Sequence, residues 1–244
     1  MTATEGLCGG VIAAGECSRL RAPGWTVPKP LVPVAGVPLL ESVLRNFVAA
    51  GIAAAVVIVN ERDRACADWA RGRVPGLALD FVVKTTASSL ESFLEVTARG
   101  RPGPLLVSTV DAWCPAADFV RFVAAARRRP ADATVLAVTP LVADEKPLWA
   151  RLGPGGRIVG IGGPSGDAVT AGMYLVPERV RRLRPPAGLR RLRDFLGWLV
   201  DGGEPVYGEI IETVVDVDRP SDVALAEALA PAVGRPSTPG GGAG

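Results

Sequence analysis

The 244-residue chain contains no histidine. That absence removes Ser-His-Asp and Cys-His nucleophilic catalysis, imidazole general-base chemistry and most zinc sites. Lysine is nearly absent as well: the 27 basic residues comprise 24 arginines and three lysines, Lys29, Lys84 and Lys146. The four cysteines, Cys8, Cys17, Cys66 and Cys114, include no CxxC pair, which argues against a cysteine-bound metal cluster. Aromatic residues make up only 5%, so Ala, Val and Leu must do most of the packing in a chain that is 48% hydrophobic. The net charge of +2 leaves no surplus for the concentrated basic face that nucleic acid requires. No apolar run approaches the ~20 residues of a membrane span, and the N-terminal segment lacks the basic and apolar regions of a signal peptide. GxxxxGK[ST] and GxGxxG are both missing, which excludes a P-loop and weighs against a dinucleotide-dependent oxidoreductase. The expectation is a reduced, cytoplasmic protein whose chemistry rests on carboxylates, Lys, Arg, backbone amides or a hard metal ion. The one basic stretch, RVRRLRPPAGLRRLRD (residues 179–194), reads first as a solvated helix face plus a turn, and second as an anion contact.

What is present is an alternation. Short apolar runs at 9–14, 53–60, 78–84, 104–111 and 133–140 read as buried parallel strands. Between them, residues 38–52 place Leu40, Val43, Leu44, Phe47 and Val48 on one helical face, with Gly51 where a C-terminal glycine belongs. Residues 88–100 open with Ser88 and Glu91 in capping-box spacing, and 116–129 form a third helix. The pattern predicts an α/β fold with a mostly parallel sheet flanked by helices. Residues 151–177 are glycine-rich and read as a small β-rich insertion of hairpins and loops covering an edge or mouth of the sheet. A helix near 188–201, a strand at 206–218 and a helix at 221–230 with Ser221 as its N-cap follow. One domain is expected over 1–233, with a disordered Gly/Pro-rich tail at 234–244.

Open α/β sheets bind ligands beyond the C-terminal ends of their strands. Three segments here occupy such ends. In the first, Ala13, Ala14 and Gly15 are small enough for backbone amides to approach an anion, and Arg19 adds a fork suited to phosphate. By itself this loop is equally an ordinary turn. In the second, Pro28 and Pro30 pin Lys29 on a stiff, extended segment, where an ammonium could meet a transferring phosphate; a plain surface lysine is the competing reading. In the third, Asp111 ends an apolar strand and could hold a hard divalent cation or cap a helix. Asp216 and Asp218 share one face of their strand, so spacing does not choose between them. Asp222 reads as a first-turn helix charge.

The strand followed by AAGxxSRL and then PKPLxPVxGxPLLE resembles the sugar-1-phosphate nucleotidylyltransferase family. The resemblance is close from Gly10 to Ile52 and returns at LLVSTVDA (105–112), TAGMYLVP (170–177) and VDVDRPSDVALAE (215–227). It implies a Rossmann-like, GT-A-like nucleotidyltransferase fold. It also implies Mg²⁺-dependent transfer of NMP from an NTP to a sugar 1-phosphate or similar phosphate. Under this resemblance Arg19, Lys29 and Asp111 are catalytic. Asp111 with Asp216 or Asp218 holds Mg²⁺, and the family pattern favours Asp216. Ala13, Ala14, Gly15 and Ser18 cradle the nucleotide, and Thr86, Ser88 and Ser89 lie at its base, although helix capping explains those three as well. Gly172 and Tyr174 flank the acceptor. The sequence departs from the pattern at Cys17, where the family has a glycine, and at DEKP (144–147), which precedes the family's Glu-Lys-Pro position. A cytidylyltransferase acting on a non-sugar phosphate, and an inactive nucleotide-binding module of the same fold, are the alternatives. Nothing in the sequence separates a monomer from a homodimer.

Overall fold

Runs of β-branched and aliphatic residues without a polar face can be buried only on both sides, which makes them inner strands. A computed structural model describes residues 6–15, 27–142 and 146–230. In chain order it contains β1 (Cys8–Ala13), β2 (Pro33–Val34), β3 (Val37–Pro38), α1 (Leu39–Ala49), β4 (Ala54–Val59), α2 (Ala65–Ala70), β5 (Ala78–Val83) and α3 (Ser89–Arg99). Next come β6 (Leu105–Thr109), β7 (Ala112–Trp113), α4 (Ala116–Ala126), β8 (Thr134–Thr139), β9 (Trp149–Leu152) and β10 (Ile158–Ile161). The last elements are β11 (Ala168–Val176), α5 (Glu178–Arg181), α6 (Leu192–Asp201), β12 (Val206–Ile210), β13 (Val215–Asp216) and α7 (Pro220–Leu229). The central sheet runs β5-β4-β1-β6-β11-β8-β12, with the β9–β10 hairpin attached to the start of β11. Strands β5, β4, β1 and β6 are parallel, β11 is antiparallel to both its neighbours, and β12 returns parallel to β8.

Strand alternation divides the core in two. Val11, Val57, Leu106 and Met173 face α1, α2, α4 and α7, while Ile12, Ile58, Val107 and Val176 face α3, α5 and α6. Aromatics are few but central: Phe47 meets Phe119 at 5.8 Å on the first side, and Phe93 meets Phe195 at 5.5 Å on the second. Two glycines admit the flanking helices to β1. A Cβ on Gly9 would lie 2.5 Å from the Phe47 ring, and one on Gly10 would lie 2.5 Å from Val96 Cγ1. Gly9→Ala and Gly10→Ala should each lower stability by about 1–3 kcal/mol through overpacking. Urea melts check this, and an unchanged midpoint would show that α1 and α3 move away without penalty.

Helix ends follow their local chemistry. Gly51 (φ +78°) closes α1, with Ile52 N–H donating to Phe47 O and Gly51 N–H to Val48 O, both at 2.9 Å. Ser88 caps α3 by accepting from Glu91 N–H at 3.2 Å. Ser221 does not cap α7; the helix begins one residue earlier, at Pro220, behind Arg219. Proline suits that first position because its φ is already helical and its missing N–H would have had no partner.

Three further expectations change. Lys29 sits not on extended chain but in a single 3-10 turn, Lys29–Leu31, closed by Leu31 N–H to Pro28 O at 2.8 Å. The φ imposed by Pro28 and Pro30 serves either conformation, and the turn's hydrogen bond decides. The segment 151–177 does not all cover an edge: β9 and β10 form the marginal hairpin, whereas β11 enters the sheet between β6 and β8. The strand read at 206–218 breaks after Ile210 and resumes as β13, which pairs with β7 outside the main sheet. Among the described residues no helix is long and apolar enough to cross a membrane.

Candidate active site

Three carboxylates converge just beyond the C-terminal end of β6. Asp111 follows that strand, and the Asp111 carbonyl accepts from Trp113 N–H at 2.8 Å and Val217 N–H at 3.0 Å. The antiparallel pairing of β13 with β7 sets Asp216 opposite Ala112, beside Asp111. Asp222 fixes Asp218: its carboxylate accepts from the backbone N–H of Asp218 at 2.9 Å and of Arg219 at 2.8 Å. One oxygen from each of Asp111, Asp216 and Asp218 lies within 4.8 Å of the others. Two unit charges about 4 Å apart interact by about 4 kcal/mol at an effective dielectric of about 20, so this cluster needs a cation.

Lys29 supplies one positive charge. The Lys29 Nζ atom donates to Asp111 Oδ2 at 2.6 Å and to Asp218 Oδ1. Burial alone would pull the Lys29 pKa down, but the two carboxylates outweigh it and raise it above the ordinary lysine value. The same pairing acts on Asp111 in reverse. Burial pushes its carboxyl up, while the Lys29 ammonium and a hydrogen bond from Thr109 hold it below the usual range. An ammonium at this point already occupies one cation position. Three hard carboxylate oxygens also fit Mg²⁺, so Asp111, Asp216 and Asp218 are the residues that would hold it. Asp216 and Asp218, which spacing could not separate, are both brought into the cluster.

On one side of β6 lies the end of β1. Ala13 and Ala14 are buried there, and a Cβ at Gly15 would meet nothing within 4 Å. Asn60, which the sequence reading missed, ties this end together. Its Nδ2 donates to Ala14 O at 3.4 Å, and its Oδ1 accepts from Thr85 Oγ1 at 3.2 Å and Arg62 N–H at 3.0 Å. The signal was a single polar residue closing an apolar strand. Ser18, Arg19 and Cys17 lie outside the described residues. The hydroxyls of Thr86 and Ser88 are engaged in the first turn of α3: Thr86 pairs with Ser92 at 2.6 Å, and Ser88 is the cap. Ser89 instead accepts from Leu192 N–H at 3.0 Å and so joins α3 to the start of α6.

On the other side of β6, over β11 and β8, a cavity of about 510 Å³ opens from the carboxylates. Gly172, Tyr174, Thr139 and Ser89 line it, together with Lys146, Arg191 and Arg193. Gly172 is required there by its backbone. Its φ is +70°, and a Cβ would lie 2.5 Å from Thr109 Oγ1 and 2.9 Å from Ala112 Cβ. The added methyl would push away the hydroxyl that bonds Asp111. Gly172→Ala should therefore cost about 1–3 kcal/mol of stability and lower kcat at least about tenfold. Steady-state kinetics and urea melts on the same preparation check both, and a fall in stability with kcat unchanged would show that Thr109 does not matter to the site. Tyr174, 6% exposed, lines the cavity: burial first, then Asp111 and Asp216, raise its phenol pKa, and Arg193 opposes them.

The basic stretch divides in two. Arg179 pairs with Glu204 at 2.9 Å, and Arg181 donates to the carbonyls of Thr97, Gly100 and Gly103, binding the end of α3 to α5. Arg191 and Arg193 line the cavity instead. Lys146, from the displaced DEKP, also reaches it.

A family model described as the MobA-like NTP transferase domain matches residues 9–197. A bifunctional IPC transferase and DIPP synthase from Rubrobacter xylanophilus is 33% identical over 247 aligned residues, 93% of this chain and 53% of that protein. A CMP-5'-(3-aminopropyl)phosphonate synthase from Streptomyces rubellomurinus is 35% identical over 86 residues, 35% of this chain and 14% of that protein. The chain thus spans about half the length of the first relative and a smaller part of the second. Among solved structures, the inositol-1-phosphate CTP transferase from T. maritima superposes with a TM-score of 0.77 at 18% identity, over 91% of this chain and 95% of that one. The chain belongs to the MobA-like NTP transferase domain family, a family of nucleotidyltransferases.

Proposed function

We propose that this chain transfers CMP from CTP to the phosphate of a polyhydroxylated acceptor, a cyclitol phosphate in preference to a hexose 1-phosphate, and releases pyrophosphate. The observation that carries the reading is the convergence of Lys29 with Asp111, Asp216 and Asp218 at the mouth of the cavity. Cytosine and a non-sugar acceptor are supported by the names of the relatives, a CMP-phosphonate synthase among them, and by the likeness to an inositol-1-phosphate CTP transferase.

In this reaction an acceptor phosphate oxygen attacks the α-phosphorus. The new P–O bond forms as the bond from the α-phosphorus to the bridging oxygen breaks, and the electron pair leaves with pyrophosphate. An ionised phosphate needs no general base, which suits a chain without histidine. Asp111, Asp216 and Asp218 would hold Mg²⁺, which would supply charge neutralisation to the triphosphate. Lys29, charged throughout the physiological range, neutralises the α-phosphate and the attacking phosphate. Ala13, Ala14 and Gly15 would cradle the nucleotide, and Arg19 would meet the departing pyrophosphate. Gly172 and Tyr174 would bound the acceptor, whose size the cavity of about 510 Å³ suits.

The test is pyrophosphate release with Mg²⁺, each NTP, and a panel of cyclitol and sugar phosphates. Release that requires metal, CTP and a cyclitol phosphate is the expected result. Preference for another base or for hexose 1-phosphates would overturn the specificity. NTP binding without turnover on any acceptor would leave a nucleotide-binding module.

A further inference from the structure

Asp222 has more partners than a first-turn helix charge requires. Its Oδ2 accepts from two successive backbone N–H groups, of Asp218 at 2.9 Å and of Arg219 at 2.8 Å. Its own N–H returns a bond to the Arg219 carbonyl at 3.0 Å, and the Ser221 hydroxyl donates to its Oδ1 at 3.4 Å. Helix capping accounts for the bonds to Arg219, the N-cap of α7, but not for the bond to Asp218, which lies before the helix. That bond fixes the backbone of a residue whose carboxylate meets Lys29 and stands within 4.8 Å of Asp111 and Asp216. On the other side of Asp218, Val217 N–H is held by the Asp111 carbonyl at 3.0 Å.

Helix α7 can serve as the fixed point for this bond. Ala226 is fully buried in the core, and Glu227 accepts from Ala35 N–H at 3.1 Å in the turn between β2 and β3. Ala35 is the one non-glycine residue at positive φ among the described residues, at +47°, a backbone state that persists where its surroundings hold it. So α7 grips both limbs of the site, the one that follows Lys29 and the one that carries Asp218.

We infer that Asp222 is a positioning residue: it sets the Asp218 carboxylate in its place against Lys29 and the metal. This rests on the reading of Asp111, Asp216 and Asp218 as the metal-holding set. Two side-chain torsions separate an aspartate carboxylate from its backbone, so the carboxylate follows the backbone closely. Releasing the Asp218 N–H frees that peptide to rotate and carries the carboxylate away from Asp111 and Lys29. Two substitutions separate geometry from charge and from capping. Asparagine offers an accepting oxygen in the same place without the charge, and its amide can donate to the Ser221 hydroxyl. Glutamate keeps the charge and suits the third position of a capped helix, but it moves the accepting oxygen one methylene farther out.

The experiment has two readouts on the full chain without nucleotide. The first is calorimetric titration with Mn²⁺, which carboxylate oxygens also suit. The second, in chelator, is NMR of lysine-labelled protein, whose three lysines give three sets of side-chain signals. Lys29→Met identifies the Lys29 signal, and Asp218→Asn shows where it moves when that carboxylate is lost. Asp222→Ala should raise the Mn²⁺ Kd at least about tenfold, by no more than Asp218→Asn does, and shift the Lys29 signal towards its Asp218→Asn position. Asp222→Asn should leave both readouts near wild type, and Asp222→Glu should move both in the direction of alanine. Urea melts show which variants are folded; if Asp222→Ala is not, Asp222→Asn and Asp222→Glu decide. A lower midpoint with both readouts unchanged in Asp222→Ala would reduce Asp222 to a cap. Asparagine as damaging as alanine, with glutamate harmless, would make its charge the cause and overturn the inference. Neither readout involves turnover, so a chain that transfers no nucleotide still gives the answer. Should wild type bind no Mn²⁺, or Asp111→Asn fail to weaken binding, the metal reading falls, and the Lys29 signal in chelator decides the positioning role.

Discussion

Replacing Lys29 with Met should slow nucleotidyl transfer by roughly 10²–10³-fold, the loss typical of removing one preorganised charge from a reacting centre. The reason lies in the pairing of Lys29 with Asp111 and Asp218. The ammonium is buried and held by the turn between Pro28 and Val32, so neither water nor a neighbouring lysine can replace it. The same substitution should also affect folding. Without Lys29, three carboxylates face one another within 4.8 Å and repel. In chelator the urea midpoint should fall; with Mg²⁺ it should recover, because a ligand that binds only the folded state stabilises it by mass action. Kinetics and melts with and without the metal check both parts. A rate loss below about tenfold would remove Lys29 from the reacting centre. A midpoint that Mg²⁺ fails to restore would show that the carboxylates do not hold the ion.

Asp111→Asn should be at least as damaging, with a rate loss of about 10³-fold. The metal requirement should also change: the Mg²⁺ concentration for half-maximal rate should rise by roughly 10–100-fold or more, the range found when even a supporting metal contact is lost. Asp111 shares Lys29 with Asp218, but it also accepts from Thr109 and, through its carbonyl, is joined to the segment that carries Asp216. Asp216→Asn and Asp218→Asn should therefore be milder than Asp111→Asn. Metal titrations of the three variants rank them. Equal losses would mean that the carboxylates act interchangeably, and a wild-type metal requirement in Asp111→Asn would place the ion elsewhere.

Much of this arrangement was legible in the residue order. Apolar runs and helical spacing locate β1, β4, β6 and β8 and helices α1, α3 and α4 to within a few residues, because burial on both faces or on one stripe is a local property of sequence; the run at 78–84 marks β5 too, but as the edge of the sheet, partly exposed and not the buried strand expected. Lys29 and Asp111 stood out for the same reason: each is a charge placed where the local pattern calls for something else. Six residues show too little period for α2 to register, and the glycine-rich segment that precedes β11 conceals a strand buried at most positions.

By itself, then, the sequence determined the strand-and-helix alternation, the exclusion of histidine chemistry and the two anchor residues, Lys29 and Asp111. Tertiary structure alone decided that Asp216 and Asp218 both join Asp111, that Lys29 lies between two of the three, that Asn60 closes the end of β1, and that Arg191 and Arg193 turn into the cavity while Arg179 and Arg181 bind the framework. The physical reason is range. Periodicity reports which face of one element is buried, whereas these convergences depend on β7 meeting β13, two-residue strands too short to carry a pattern, and on which side of β6 the antiparallel β11 enters the sheet.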